Sequence, residues 1–98
     1  MERIELDASG WTGLEAFYAA LLPALGAPEW HGHNLNALWD SMVTGDINTL
    51  EPPYEIVLIN CEGLEEPLRS QILAFLDLVE QAHDDEGIEI FATAQPPL

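Results

Sequence analysis

Residues Pro28–Asp40, PEWHGHNLNALWD, gather two tryptophans, two histidines, one glycine and three asparagine or aspartate side chains into thirteen positions. Several chemistries can be asked of such a cluster. His31 and His33, with Asp40 or His83, invite a metal reading. Two histidines two apart in a loop, with no Cys/His spacing behind them, do not make one, and no metal is expected. There is no glycine-rich phosphate loop and no nucleophile with a motif around it. Paired carboxylates say little in a chain with 18 acidic residues. The sequence therefore points away from an enzyme, and no catalytic residue or cofactor is expected. What remains is recognition: aromatic and polar side chains on a loop, with a carboxylate on the helix that follows.

The charge balance says what could be recognised. Eighteen acidic residues against two basic ones give a formal charge of −16. Such a molecule repels nucleic acid and anionic membranes and attracts basic surfaces over a Debye length of ~8 Å. Direct nucleic-acid binding and membrane association are not expected. No apolar run approaches the ~20 residues of a membrane span. The start of the chain lacks the basic and apolar regions of a signal peptide. Cys61 is the sole cysteine, so no intrachain disulfide can form. Together these predict one domain over residues 1–98, cytoplasmic and monomeric when free.

The elements that must hold the cluster can be read from periodicity. Arg3–Ala8 alternates apolar and charged residues as a half-buried strand does. Thr12-Gly-Leu-Glu15 has the form of a capping box, followed by Leu14, Phe17, Tyr18, Leu21, Leu22 and Leu25 at helical spacing. Gly26 and Pro28 end that helix. Asn34 is the N-cap of a second helix with Leu35, Leu38, Trp39 and Met42 inward, ending near Thr44-Gly45. Tyr54–Asn60 reads as a strand buried on both faces. Pro67 suits the first turn of a long helix, with Glu65 and Glu66 at its positive end and Leu68, Ile72, Phe75, Leu76 and Val79 inward. Gly87 stops it, and Ile88–Ala92 is the last strand. The fold class is α/β, in the order β-α-α-β-α-β. Strands separated by helices pair in parallel through right-handed crossovers, giving a small three-stranded parallel sheet packed with helices.

The thirteen-residue segment resembles the barstar family of intracellular ribonuclease inhibitors. It is similar to that family's Pro-Glu-aromatic-aromatic-Gly-x-Asn-Leu-Asp-Ala-Leu-Trp-Asp signature, and the element order agrees over almost the whole chain. The resemblance implies an antitoxin or immunity protein that plugs the active site of a basic ribonuclease. Asp40 matches the aspartate that occupies the enzyme's phosphate pocket, and Trp30 matches an aromatic that stacks near the catalytic centre. Gly32, Asn34, Asn36 and Trp39 match other contact positions. Asn36 stands where the best-known member has an aspartate, His31 replaces the second aromatic, and His33 a variable residue. A glutamate from the last long helix corresponds to Glu80, or to Gln81 if one residue is gapped.

The positions of these residues fit what the resemblance implies, whereas Asp40 without the motif reads as an ordinary solvated helix aspartate. Asn36 and Asp40 are one turn apart and share a face away from the Leu35–Leu38–Met42 stripe. A rigid carboxylate there can be received bidentately by an arginine. Trp30 is an anchor of the type that dominates interfaces. Gly32 is where positive φ or a close backbone approach is expected. The expected partner surface is thus Trp30, His31, Gly32, Asn34, Asn36, Trp39, Asp40 and Glu80. The alternatives are immunity to another basic toxin such as a deoxyribonuclease, because Asn36 removes one charge, or a non-inhibitory acidic regulatory subunit.

Overall fold

A computed structural model describes residues 1–98. Three strands, β1 (Glu2–Asp7), β2 (Tyr54–Ile59) and β3 (Ile90–Ala94), pair in parallel in the order β1-β2-β3. Between them run α1 (Leu14–Leu25), α2 (Leu35–Trp39) and α3 (Leu68–Glu86), so the expected β-α-α-β-α-β order is the observed one. Ile4, Ile56 and Ala92 lie in register, as do Leu6, Leu58 and Ala94. That face of the sheet carries the core. Phe17, Tyr18, Leu21 and Leu25 of α1, Leu38 of α2, and Leu68, Ile72, Phe75, Val79 and Ala82 of α3 pack on it. The opposite register row holds Glu5, Val57 and Thr93. Val57 is buried but lies outside the main core cluster, while Glu5 and Thr93 are exposed.

Helix ends follow the glycines. Gly26 sits at φ 68°, with its own N–H bonded to the Pro23 carbonyl and that of Ala27 to the Leu22 carbonyl, a Schellman closure. Gly87 ends α3 at φ 69°. The Glu66 carboxylate accepts from the Ser70 N–H at 2.7 Å and from its hydroxyl, which holds that carboxyl below its usual range. The acidic start expected for α3 is thus realised as a cap.

Four expectations are corrected. The Thr12–Glu15 capping box does not form. Gly13 is the N-cap, with no side-chain bond, because Glu15 is drawn to His33 instead. α1 also contains Pro23, which removes one N–H from its last turn. The second helix does not run unbroken to Thr44. Asp40–Thr44 opens into a π-helical turn. The last strand begins at Ile90, not Ile88, because the Ile88 N–H closes back on the Ala82 carbonyl and its carbonyl accepts from the Ile90 N–H at 2.8 Å. β1 spans Glu2–Asp7, leaving Ala8 beyond the paired residues, although its N–H still reaches the Ile59 carbonyl.

Candidate partner-binding surface

The loop between α1 and α2 is held from inside by His31. The residue is 5 % exposed. Nδ1 lies 2.7 Å from the Gly32 carbonyl, which only accepts, so Nδ1 carries the proton. In the neutral ring Nε2 therefore accepts from the Ser41 hydroxyl at 2.9 Å, and the Leu38 carbonyl lies 3.2 Å from the same hydroxyl oxygen. The structure thus places His31 under the surface, as a pin joining the loop to the π turn. This His–Ser contact is not arranged for nucleophilic catalysis. Ser41 is 3 % exposed, and a backbone carbonyl stands where a carboxylate would orient a catalytic base.

Above that pin the loop turns outward. Trp30 is 75 % exposed, far more than any other aromatic side chain in the chain. Gly32 is needed for space and not for a positive φ. A Cβ there would stand 2.9 Å from the Asn34 amide nitrogen and 3.2 Å from the Ala37 Cβ. Asn34 caps α2 as expected, its Oδ1 accepting from the Ala37 N–H at 2.8 Å. His33 is exposed, bonds Glu15 of α1 at 2.7 Å and stacks on Tyr18 at 5.6 Å between centroids. Gln71 of α3 donates to the Tyr18 hydroxyl at 2.7 Å, and burial pushes that phenol up.

On α2, Leu38 is fully buried, Leu35 and Trp39 are half-buried against the core, and Asn36 and Asp40 are exposed. Leu35, Asn36 and Trp39 form one wall of a groove of about 340 Å³, and Ala74, Asp77, Leu78 and Gln81 of α3 form the other. The two candidate positions in the last helix lie in different places. Gln81 faces Asn36 and Trp39, whereas Glu80 lines a different depression against β3, with His83 and Phe91. The structure therefore brings together Trp30, Gly32, Asn34, Asn36, Trp39 and Asp40 on the loop and α2, sets His31 beneath them, and leaves Glu80 apart.

Three contributors, Ser41, Glu15 and Asp77, had no signal in the sequence for the roles they take. Ser41 is ten residues from His31, and Glu15 is eighteen from His33. Neither pair lies within a single helix or strand, so no local periodicity joins its members. Asp77 and Gln81 are one turn apart on the groove side of α3, a pairing that requires the α2–α3 packing to be known. No group of three or more His, Cys, Asp or Glu side chains is placed to hold a metal ion, and no helix is long and apolar enough to cross a membrane.

The sequence model of the family described as "Barstar (barnase inhibitor)" matches residues 1–95. The chain is also similar to the Bacillus subtilis (strain 168) protein named "Putative ribonuclease inhibitor YrdF". The two are 29 % identical over 85 residues, covering 87 % of this chain and 89 % of the relative.

Proposed function

Since the chain belongs to the barstar family, we propose that it is a protein inhibitor of the antitoxin or immunity type, blocking a basic ribonuclease with the surface from Trp30 to Asp40. The observation that carries this reading is the 75 % exposure of Trp30 on a loop fixed by buried hydrogen bonds. An indole held out to solvent by a rigid support has an interface as its physical rationale. Asp40, exposed at the end of α2, supplies the carboxylate for a phosphate pocket built of cations. The chain's own two cations are Arg3 on β1 and Arg69 at the start of α3, so neither belongs to the loop or to α2. The diffuse charge of −16 speeds encounter with a cationic enzyme, and salt weakens that effect.

The test is inhibition of barnase-like basic ribonucleases. Activity should fall to completion near one equivalent, and undiminished activity across such a panel refutes the reading. Asp40→Ala should weaken binding by ~2–5 kcal/mol, the cost of truncating one partner of a buried charge pair and a range drawn in part from barnase–barstar itself. Its folding should be unchanged.

A second reading, immunity to a different basic toxin such as a deoxyribonuclease, has one observation in its favour. The α2–α3 groove presents amides, Asn36 and Gln81, where the family resemblance leads one to expect carboxylates, and its only carboxylate is Asp77. A deoxyribonuclease panel assayed in parallel discriminates the two.

A further inference from the structure

The loop between α1 and α2 carries a second histidine, set in surroundings opposite to those of His31. His33 has 46 % of its side chain open to solvent, yet it is held on two sides. Its ring lies nearly parallel to that of Tyr18, with 12° between the planes and 5.6 Å between centroids. Tyr18 is itself fixed, buried and with its hydroxyl accepting from Gln71 of α3. Nδ1 of His33 stands 2.7 Å from Oε2 of Glu15, in the first turn of α1. One exposed ring is thus stacked on α1, bonded to α1 and backed through Tyr18 by α3.

That geometry decides the tautomer. A carboxylate only accepts, so Nδ1 carries the proton. The neutral ring then has a bare Nε2, an acceptor across the ring from Glu15 that bonds nothing in the chain. A carboxylate on one ring nitrogen is how proteins fix which nitrogen is left to meet a ligand. A metal ion is disfavoured as that ligand, because no group of three or more His, Cys, Asp or Glu side chains converges here. A side chain this exposed is ordinarily free to turn. Holding it in one orientation, with one acceptor left over, lowers the entropy cost of a directed hydrogen bond to a group outside the chain. His33 also sits between Gly32 and Asn34, so it is continuous with the proposed partner surface.

We propose that His33 is a further partner contact, its Nε2 accepting a hydrogen bond from a donor on the basic enzyme while Glu15 sets the tautomer that leaves Nε2 bare. The identity of that enzyme rests on the reading above. The contact makes association sensitive to pH. Imidazole ordinarily titrates at about 6.5. Protonation turns Nε2 from an acceptor into a donor and adds a positive charge facing a cationic surface, and both changes oppose binding. Glu15 and Tyr18 are the titratable groups of α1 that meet the ring, and α3 reaches the stack through Gln71, which has no charge. Burial pushes the Tyr18 phenol up, so it stays neutral where imidazole titrates. On the loop itself, Glu29 is exposed and the His31 ring is turned inward to Ser41.

The test compares the parent chain with His33→Phe, which keeps the ring stack and lacks both nitrogens. Affinity for an inhibited ribonuclease is measured by titration calorimetry from about pH 8 to about pH 5.5, a span that brackets imidazole titration. The parent should bind several-fold more tightly than the variant at the upper end, and its advantage should vanish at the lower end. Groups that titrate on the enzyme act on both chains alike and cancel in the comparison. Urea denaturation of the free variant separates weaker binding from unfolding. In long-range ¹H–¹⁵N spectra of the free ¹⁵N-labelled chain at the upper pH, His33 should be protonated at Nδ1 and bare at Nε2, and the Nε2 resonance should move when the enzyme is added. A free ring protonated at Nε2 overturns the proposal whether or not any ribonuclease is inhibited. Parallel pH profiles, or an Nε2 resonance that the enzyme does not move, remove the contact, reduce His33 to a tie between the loop and α1, and leave the inhibitor reading standing. A parent chain that inhibits no ribonuclease refutes the inhibitor reading, and this contact with it.

Discussion

Trp30→Ala separates a partner anchor from a structural tryptophan, because the two roles have opposite consequences. A tryptophan side chain carries ~200 Å² of surface. With 75 % of Trp30 open in the free protein, ~150 Å² is available for a partner to cover. At ~25 cal/mol/Å² that area is worth ~4 kcal/mol, and imperfect burial brings the range to ~2–4 kcal/mol. The dissociation constant should therefore rise ~30- to ~700-fold. Stability should hardly move, within ~0.5 kcal/mol, because little of the ring is buried in the free fold. The assay is isothermal titration or stoichiometric inhibition of an inhibited ribonuclease, paired with urea denaturation of the free variant. Loss of stability with unchanged affinity would refute the reasoning, since the ring would then be packing on its own chain. An affinity change below about threefold would place Trp30 outside the contact.

Other perturbations test the supports beneath that surface. His31→Ala removes both ring hydrogen bonds and leaves a cavity, so stability should fall by ~2–4 kcal/mol in urea denaturation; a loss under ~1 kcal/mol would mean that the pin carries little. Gly26→Ala forces a side chain into φ 68° with its Cβ 2.6 Å from that of Thr49. It should cost ~2–3 kcal/mol, lowering the Tm by roughly 8–24 °C at ~4–8 °C per kcal/mol. Tyr54→Phe tests the alkaline limb. The phenol rises from 10.0 to about 12 on folding, so the fold prefers its protonated form. Its contribution is fully present below pH ~10 and is lost as pH rises through ~12, up to ~3 kcal/mol. The variant should show a flatter stability profile between those values. A residual slope should remain from Tyr18 and Cys61, which burial also pushes up.

Much of the architecture was written in periodicity. Leu14 to Leu25 and the Leu68–Val79 stripe each name an element because burial on one face repeats at a fixed spacing, and the Ile56–Ile59 run does so because a short continuous apolar run marks a strand buried on both faces. Gly26 and Gly87 were readable as stops for the same local reason, as only glycine takes a left-handed cap freely. The failures came where distant residues compete with local ones. Glu15 had an expected local role as a cap partner and took His33 instead, 18 positions away. Ile88 looked like strand but was captured by the end of α3. In the candidate surface, Trp30 and Asp40 were legible because loop and helix phase expose them. His31 was not, because burial by Ser41 depends on how the chain returns.

The π-helical turn at Asp40–Thr44 has a geometric consequence of its own. An α-helix turns about 100° per residue, and a π turn holds one residue more between successive backbone bonds than an α turn. Everything up to Asp40 keeps the azimuth set at Asn34, while everything after Thr44 leaves at an angle offset by that one residue. The Trp30–Asp40 face and the Asp46–Glu51 segment are therefore two panels joined by an angular shim. Removing one residue between Ser41 and Thr44 would restore the α ladder and leave the second panel near its present direction, because the wider turn already absorbs that residue; closing the turn to α without the deletion would swing it by about 100°. Only a change of length that the turn does not absorb re-aims the second panel, and it does so without altering a side chain in the first.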